Sequence, residues 1–281
     1  MKTLLKDEYS AFISALEEGE AVRGVRINTV AVEKEHFLSL KRKYSLSPIS
    51  YSEDGFILSA GDGIGNTPEH HAGMIYVQDP GAMASMCALN LKEGAWVLDT
   101  CSAPGGKSFA MAILSSDEAE IHSYDLHESK LSLITDTATR LGLNSVHATV
   151  RDALTPDESL LGRVDKLLCD VPCSGLGVIA KKPDLRYKDI SATVDLPPLQ
   201  LDILTASSRY LKAGGELVYS TCTLNSRENA EVVMKFIEQN PDFTTVDFEI
   251  GSLKSDNGML TLWPHIHNTD GFFISKLRKN K

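Results

Sequence analysis

Disulfide and metal chemistry are poorly provided for in this sequence. Its five cysteines, Cys87, Cys101, Cys169, Cys173 and Cys222, are odd in number and too sparse for a disulfide framework, and no Cys-x-x-Cys pair or Cys/His cluster has structural-zinc spacing. Free thiols and no metal are expected. Long apolar runs are also missing: none approaches the roughly 18 residues that span a bilayer. The opening "MKTLLKDEYSAFISALEEGE" reads as an amphipathic helix, with Leu4, Leu5, Phe12, Ile13 and Leu16 among charges, and not as a signal-peptide core. The cytoplasm, with no membrane partner, is the simplest location. Positive charge is short as well, with 28 Lys and Arg against 38 Asp and Glu and a net charge of −10. Taken whole, that balance disfavours a polyanionic partner, because binding phosphates needs cations that displace counterions. Local clusters can override the total, and two are present: Lys41, Arg42 and Lys43, and "AKKPDLRYK", where Lys181, Lys182, Arg186 and Lys188 outnumber Asp184.

What is there suffices for one substantial domain and a smaller appendage: 281 residues, 42% of them hydrophobic. Residues 1–75 read as a small α+β unit, with a helix, a strand around "VRGVRIN", a helix ending near Lys43 and short strands around "PISYS" and "GFILS". The glycines of "GDGIGN", 61–66, lack a strong strand before them and a periodic helix after, so they read as a turn. Residues 76–281 alternate regularly. Strands at "WVLDT", "EIHSYD", "SVHATV", "VDKLLCD" and "GELVYST" are set among helices from about 105, over 127–142, 196–211 and 226–239. Such alternation predicts an α/β fold with a parallel sheet and helices on both faces. "MLTLWP" and "GFFISKL" finish the sheet in antiparallel fashion. No internal repeat, low-complexity tract or Pro/Ser linker interrupts the chain.

On such a sheet, ligands bind beyond the carboxyl ends of the strands. In "VLDTCSAPGGKSFAMA", 97–112, a strand ends at Asp99 and Gly105 and Gly106 open a helix, so free N–H groups and a positive dipole end face a ligand. A phosphate-binding loop of the G-x-x-x-x-G-K-[ST] kind would need glycine where Cys101 stands, and the G-x-G-x-x-G fingerprint is absent. Asp125 closes the next strand, at a spacing suited to ribose hydroxyls; Asp152 and Asp170 follow the third and fourth. A run of carboxylates along one edge suits a ligand with hydroxyls and positive charge. S-adenosyl-L-methionine (SAM) fits, though other nucleosides share half of these features.

The cysteines sharpen the reading. Thiolate is the reactive form, and a thiol of ordinary pKa near 8.5 is only a few per cent ionised at pH 7. Cys222, in "YSTCT", precedes the helix "SRENAEVVMKFIEQ", whose amino end would favour an anion; Cys173, in "DVPCSG", follows a proline in a turn. Cys87 and Cys169, inside a helix and a strand, read as small buried hydrophobes.

"DTCSAPGGKS", "DVPCSGLGVIAKKPD" and "YSTCTLNSRENAEVV", with "VQDPGAMAS" before them and "TDGFFISKL" after, resemble the RNA (cytosine-5-)methyltransferases. This is the family of the bacterial 16S ribosomal RNA methyltransferases B and F and of the Sun-type proteins. The resemblance runs from about Val22 to Leu277 with every motif in order. It implies a Rossmann-like SAM-dependent methyltransferase fold with a seven-stranded, mostly parallel sheet, and an N-terminal unit that contacts RNA. It further implies that Cys222 adds to cytosine carbon-6, that Asp170 binds the base, and that Cys173 assists product release. DNA cytosine methyltransferases use the Pro-Cys cysteine as nucleophile and lack the second one, so the pair argues for RNA. By the same carry-over the donor contacts are Cys101, Ser102, Ala103, Pro104, Gly105, Gly106 and Lys107 with Asp125, Asp152 and Asp170. Lys181, Lys182, Arg186 and Lys188 would form an RNA-facing patch.

Departures from the family pattern are Cys101-Ser102-Ala103 where Cys-Ala-Ala is common, and Ser108 for Thr. The family's N-terminal helical RNA-binding domain and C-terminal extension have no counterpart in these residues, which with the acidic balance leaves the source of RNA affinity open. The expected partners are ribosomal RNA, with transfer RNA as the alternative, and an assembling ribosomal subunit. A non-catalytic ribosome-assembly factor and a P-loop NTPase are the competing classes, the first disfavoured by intact Cys222, Cys173 and Asp170, the second by Cys101. His265 and His267 lack a third ligand at useful spacing for a metal.

Overall fold

Short runs rich in Val, Ile and Phe near the amino end assemble into one antiparallel sheet. In the computed structural model, which describes residues 5–17, 22–58, 63–187 and 189–280, these are β1 (Gly24–Ile27), β2 (Leu46–Ile49), β3 (Ser52–Leu58) and β4 (Ile75–Val77), in the order β2-β3-β1-β4. Two helices belong to the same part of the chain, α1 (Tyr9–Glu17) and α2 (Lys34–Lys43). Leu40 of α2 joins Val25, Ile27, Val32, Leu46, Phe56 and Ile75 in a small core. The β4 strand carries this sheet across the 75/76 boundary drawn from sequence, since three residues are too few to show an alternation. Helix α1 packs elsewhere: Phe12 and Leu16 cluster with Leu224 and Trp263, far along the chain.

The larger sheet holds β5 (Trp96–Asp99), β6 (Glu120–Asp125), β7 (Val146–Val150), β8 (Val164–Asp170), β9 (Leu211–Thr221), β10 (Phe243–Thr245), β13 (Met259–Leu262) and β14 (Phe272–Lys279); a separate hairpin is made by β11 (Glu249–Ile250) and β12 (Leu253–Lys254). Its order is β10-β14-β9-β8-β5-β6-β7, with β13 also on β14. Strands β5 to β9 are parallel, and β14 runs antiparallel to β9, β10 and β13. Among the described residues the sheet therefore has eight strands, where seven are expected from sequence. The extra one, β10, is again a three-residue segment below the length at which periodicity is visible.

Helices α3 (Pro80–Leu89), α4 (Gly106–Leu114), α5 (Leu131–Leu141), α6 (Leu196–Ser208) and α7 (Ala230–Gln239) cover the sheet. Strand alternation divides the core in two. Val97, Leu168, Val218 and Ile274 meet Phe109, Met111 and Ile134 on one face. Leu167, Cys169, Leu217 and Tyr219 meet Ile203, Leu204, Val233 and Phe236 on the other. With both faces covered, the strands read as continuous apolar runs, each fully buried Leu, Ile or Phe contributing about 1.5–3 kcal/mol.

Helix α3 is buried on nearly all sides and packs against β3, β9, β14 and α4, joining the two sheets. From β5 the chain goes first to β6 on one side and later returns through β8 on the other, so the crevice beyond β5 and β8 is the topological switch point where such sheets bind ligands. Among the described residues, no helix is long and apolar enough to cross a membrane.

Candidate active site

At the end of β5 the chain makes its turn through small residues that leave the backbone accessible. Ser102 donates both its N–H and its hydroxyl to the Tyr124 carbonyl, at 2.8 and 2.9 Å, which lays the loop along the end of β6. Gly105 caps α4 with φ +101°, a conformation that favours glycine, and a Cβ on Gly106 would lie 2.6 Å from the Tyr76 hydroxyl. The first N–H groups of α4 have no helical acceptor and point out of its end. A cavity of about 220 Å³ opens there, lined by Cys101 to Pro104, Gly106, Lys107, Asp99 and Asp170, and on the far side by Tyr76 to Asp79 and Ala82.

Its charges are paired across the switch point. Lys107 Nζ donates to Asp170 Oδ2 at 2.6 Å, and Ser220, opposite Asp170 in the β8–β9 register, donates its hydroxyl to Oδ1 at 2.7 Å. Burial works against the Lys107 charge, but Asp170 and Asp99 outweigh it and hold the ammonium pKa above its ordinary value. Asp99 differs. Burial pushes its carboxyl up to about 7, against the Ser108 hydroxyl bonded to Oδ2 at 2.8 Å and with the help of the Asp170 charge. Its other oxygen, Oδ1, is buried on the cavity wall with no hydrogen-bond partner among the described residues.

Beside this cavity the ends of β8 and β9 bring two thiols together. Cys173 and Cys222 are both half-buried, with their Sγ atoms 3.2 Å apart. The hydrogen bond from Cys173 lowers the Cys222 pKa, burial and the Asp170 charge oppose that, and Lys107 and Lys182 reinforce it. The same bond and burial raise the Cys173 thiol. With both cations acting on Cys222 and burial acting against Cys173, Cys222 is the member of the pair whose ionisation is favoured. The helix end expected to supply this field is farther off: α7 begins only at Ala230, after a 3-10 turn over Ser226–Glu228. Gly177 ties the two loops, since its N–H donates to the Cys222 carbonyl at 2.9 Å and a Cβ there would lie 1.9 Å from the Gly271 carbonyl oxygen.

The remaining residues singled out in the sequence are placed as follows. Asp125 lies outside the cavity wall, accepting from the N–H groups of Ala103 at 3.1 Å and His127 at 3.0 Å. Asp152 is exposed and caps a turn through Leu154 N–H at 2.9 Å. Cys101 lines the cavity, its thiol pushed well up by burial, and Cys169 is buried in β8 and pushed up to about 12. In the basic stretch, Lys181 sits between the carboxylates of Asp79 and Asp270, Arg186 donates to the Leu16 carbonyl at 2.6 Å, and Lys182 is exposed. Lys188 lies outside the described residues. His265 meets Glu8, and His267 Nδ1 accepts from Trp263 N–H at 2.8 Å. Tyr76, Gln78, Asp79 and Ser220 were not legible as site residues. Gln78 and Asp79 stand inside "VQDPGAMAS", but nothing local shows that this segment faces the loop after β5.

The family described as 16S rRNA methyltransferase RsmB/F matches residues 86–278, and the N-terminal domain of 16S rRNA methyltransferase RsmF matches residues 1–80. The probable ribosomal RNA small subunit methyltransferase B of Bacillus subtilis (strain 168) is 40% identical over 237 residues, 81% of this chain and 53% of that protein. The ribosomal RNA small subunit methyltransferase F of Erwinia tasmaniensis is 32% identical over 290 residues, 97% of this chain and 60% of that protein. Among solved structures, a methyltransferase homolog protein from Pyrococcus horikoshii superposes with a TM-score of 0.84 at 29% identity, covering 97% of this chain and 91% of that one. The chain spans about half the length of the curated relatives it matches.

Proposed function

Because the chain belongs to the family of 16S rRNA methyltransferases RsmB/F, we propose that it is a SAM-dependent RNA cytosine-5 methyltransferase that acts on 16S ribosomal RNA in the cytoplasm through a covalent Cys222 adduct. The observation that carries this reading is the 3.2 Å approach of Cys173 and Cys222 beside the Asp170 cavity.

The cavity suits the donor. The open N–H groups of α4 are donors suited to the donor's carboxylate, and Asp99 Oδ1 on the cavity wall is an acceptor suited to its hydroxyl or ammonium groups. SAM, when bound, supplies an electrophilic methyl group. Asp99, Lys107 and the loop Cys101 to Gly106 would hold it, and Asp125 fixes that loop through Ala103 N–H.

Cytosine carbon-5 is a poor nucleophile until a thiolate adds to carbon-6. The Cys222 thiolate, supported by the Cys173 S–H, Lys107 and Lys182, is the group for that addition. Asp170, oriented by Lys107 and Ser220, would grip the base at ring nitrogen 3 and its amino group. After methylation the carbon-5 proton leaves to a base and the carbon–sulfur bond then breaks. Cys173 supports the departing Cys222 thiolate with the same hydrogen bond that stabilised it before the attack. The base must be unstacked to meet the sulfur.

The test is methyl transfer from labelled SAM to 16S RNA with the position mapped, in native protein and two variants. Cys222→Ala should bind SAM and transfer nothing; Cys173→Ala should accumulate a protein–RNA band stable to denaturant. Normal turnover by Cys222→Ala would remove the assignment.

A further inference from the structure

Glu228 is fully buried, yet it lies in the polar stretch "NSREN" that follows Cys222. Its carboxylate is a meeting point for three separate segments. Oε2 accepts the Ser174 N–H at 2.8 Å and Gln200 Nε2 at 3.1 Å; Oε1 accepts Asn225 Nδ2 at 3.0 Å. Gln200, from α6, also donates to the Pro172 carbonyl at 2.9 Å. A side chain that gathers three N–H donors in the interior is costly to bury and is stable there only because they are all satisfied.

The position of these donors matters more than their number. Ser174 N–H belongs to the peptide bond that leaves Cys173, and Asn225 stands three residues beyond Cys222. The Glu228 backbone is itself fixed to β9, since the Tyr219 hydroxyl donates to its carbonyl at 2.6 Å; the adjacent Asn229 accepts from Thr221 Oγ1 at 2.6 Å and donates to the Thr223 carbonyl at 2.9 Å. A second bridge, between Ser174 Oγ and Thr223 Oγ1 at 2.8 Å, joins the loops directly. The loop that carries Cys173 is thus referred to the segment after β9 that carries Cys222 through this carboxylate, beside the Ser174–Thr223 and Gly177–Cys222 bonds.

We propose that Glu228 is the positioning residue that sets the register of the two thiols, holding Cys173 where its S–H reaches Cys222. Glu228 touches neither thiol and acts through the Cys173–Ser174 peptide. The proposal rests on the catalytic reading only for its consequence in turnover; the register of the sulfurs can be measured without RNA.

The experiment is the pH dependence of iodoacetamide alkylation at Cys222 and Cys173, resolved by peptide mass, in the full chain and in Glu228→Ala, Glu228→Asp and Glu228→Gln. Loss of the Cys173 hydrogen bond raises the Cys222 pKa, and one unit slows alkylation at neutral pH about tenfold. Glu228→Ala should show that shift. Glu228→Asp, with the same charge on a shorter side chain, should show it too and decides the matter if Glu228→Ala does not fold. Glu228→Gln keeps an acceptor toward Ser174 N–H and should stay near the native profile. A native profile in the Ala and Asp variants, or a Gln profile displaced as far as theirs, overturns the proposal. With RNA and SAM, Glu228→Ala should accumulate the adduct expected of Cys173→Ala. A shifted alkylation profile with no adduct in either variant would overturn the release role of Cys173 and leave the positioning by Glu228 intact.

Discussion

Lys107, in the first turn of α4, and Asp170, the last residue of β8, form an ion pair of 2.6 Å across the switch point of the sheet. The same ammonium group lies 5.7 Å from the centre of the Phe272 ring. Its charge also favours ionisation of Cys222.

Replacing Lys107 by Met should therefore weaken two functions together. The Cys222 pKa should rise, slowing its alkylation at pH 7 on the order of threefold to tenfold. SAM affinity should fall as well, because Lys107 lines the cavity and its hydrogen bond orients Asp170 on the same wall. Alkylation profiles and calorimetric titration with SAM check both. Unchanged values in a folded Lys107→Met protein would show that the ammonium group is an onlooker.

Asp99 supplies a pH prediction. In the folded chain its carboxyl keeps its proton up to about pH 7, whereas an unfolded one releases it near 3.8. Between those values the folded state binds the extra proton, so this residue makes stability fall as pH rises through the window and level off above about 7. The full effect is at most about 4 kcal/mol at roughly 1.4 kcal/mol per unit. Asp99→Asn, uncharged at every pH, should lose that slope. Thermal unfolding of both proteins from pH 5 to 8 measures it, and parallel curves would refute the raised carboxyl.

A third prediction concerns the join between the two sheets. Arg26 is fully buried in β1, paired with Asp54 and donating through Nε to Gln78 Oε1 at 2.9 Å; Gln78 in turn donates to the Gly106 carbonyl at 2.9 Å. Arg26→Met strands the Asp54 charge in the interior and should cost about 3–5 kcal/mol, while the double variant Arg26→Met with Asp54→Leu should recover most of it. Gln78 loses its anchor in both, so both should bind SAM more weakly than the native protein. Chemical unfolding and SAM titration separate the two effects. A double variant as unstable as the single one would mean that the stranded charge is not the cause.

The carboxyl ends of the strands were readable because a buried strand announces its own end. The strands stop at Asp99, Asp125 and Asp170, and glycines follow the first and third, Gly105 and Gly106 and then Gly175, where the chain turns. Segments of three residues carry no such signal, which hid β4 and β10. Charge was the least readable property. Lys181 looks like a surface cation, but its ammonium group is taken up by Asp79 and Asp270, both remote in the chain. Glu228 looks like the exposed acid of a first helical turn, yet the 3-10 turn before α7 carries it fully into the interior.

Local pattern alone determined the α/β class, the free thiols, the loop after β5 and the two cysteines, because periodicity, turn chemistry and short motifs are properties of neighbours in sequence. Only the tertiary structure decided that the sulfurs lie 3.2 Å apart, that Asp170 is shared by Lys107 and Ser220, and that one buried carboxylate joins both cysteine loops. Those relations arise from the order in which strands β5, β8 and β9 lie side by side. Strand order follows from long-range packing of the two sheet faces, to which no short window of sequence refers.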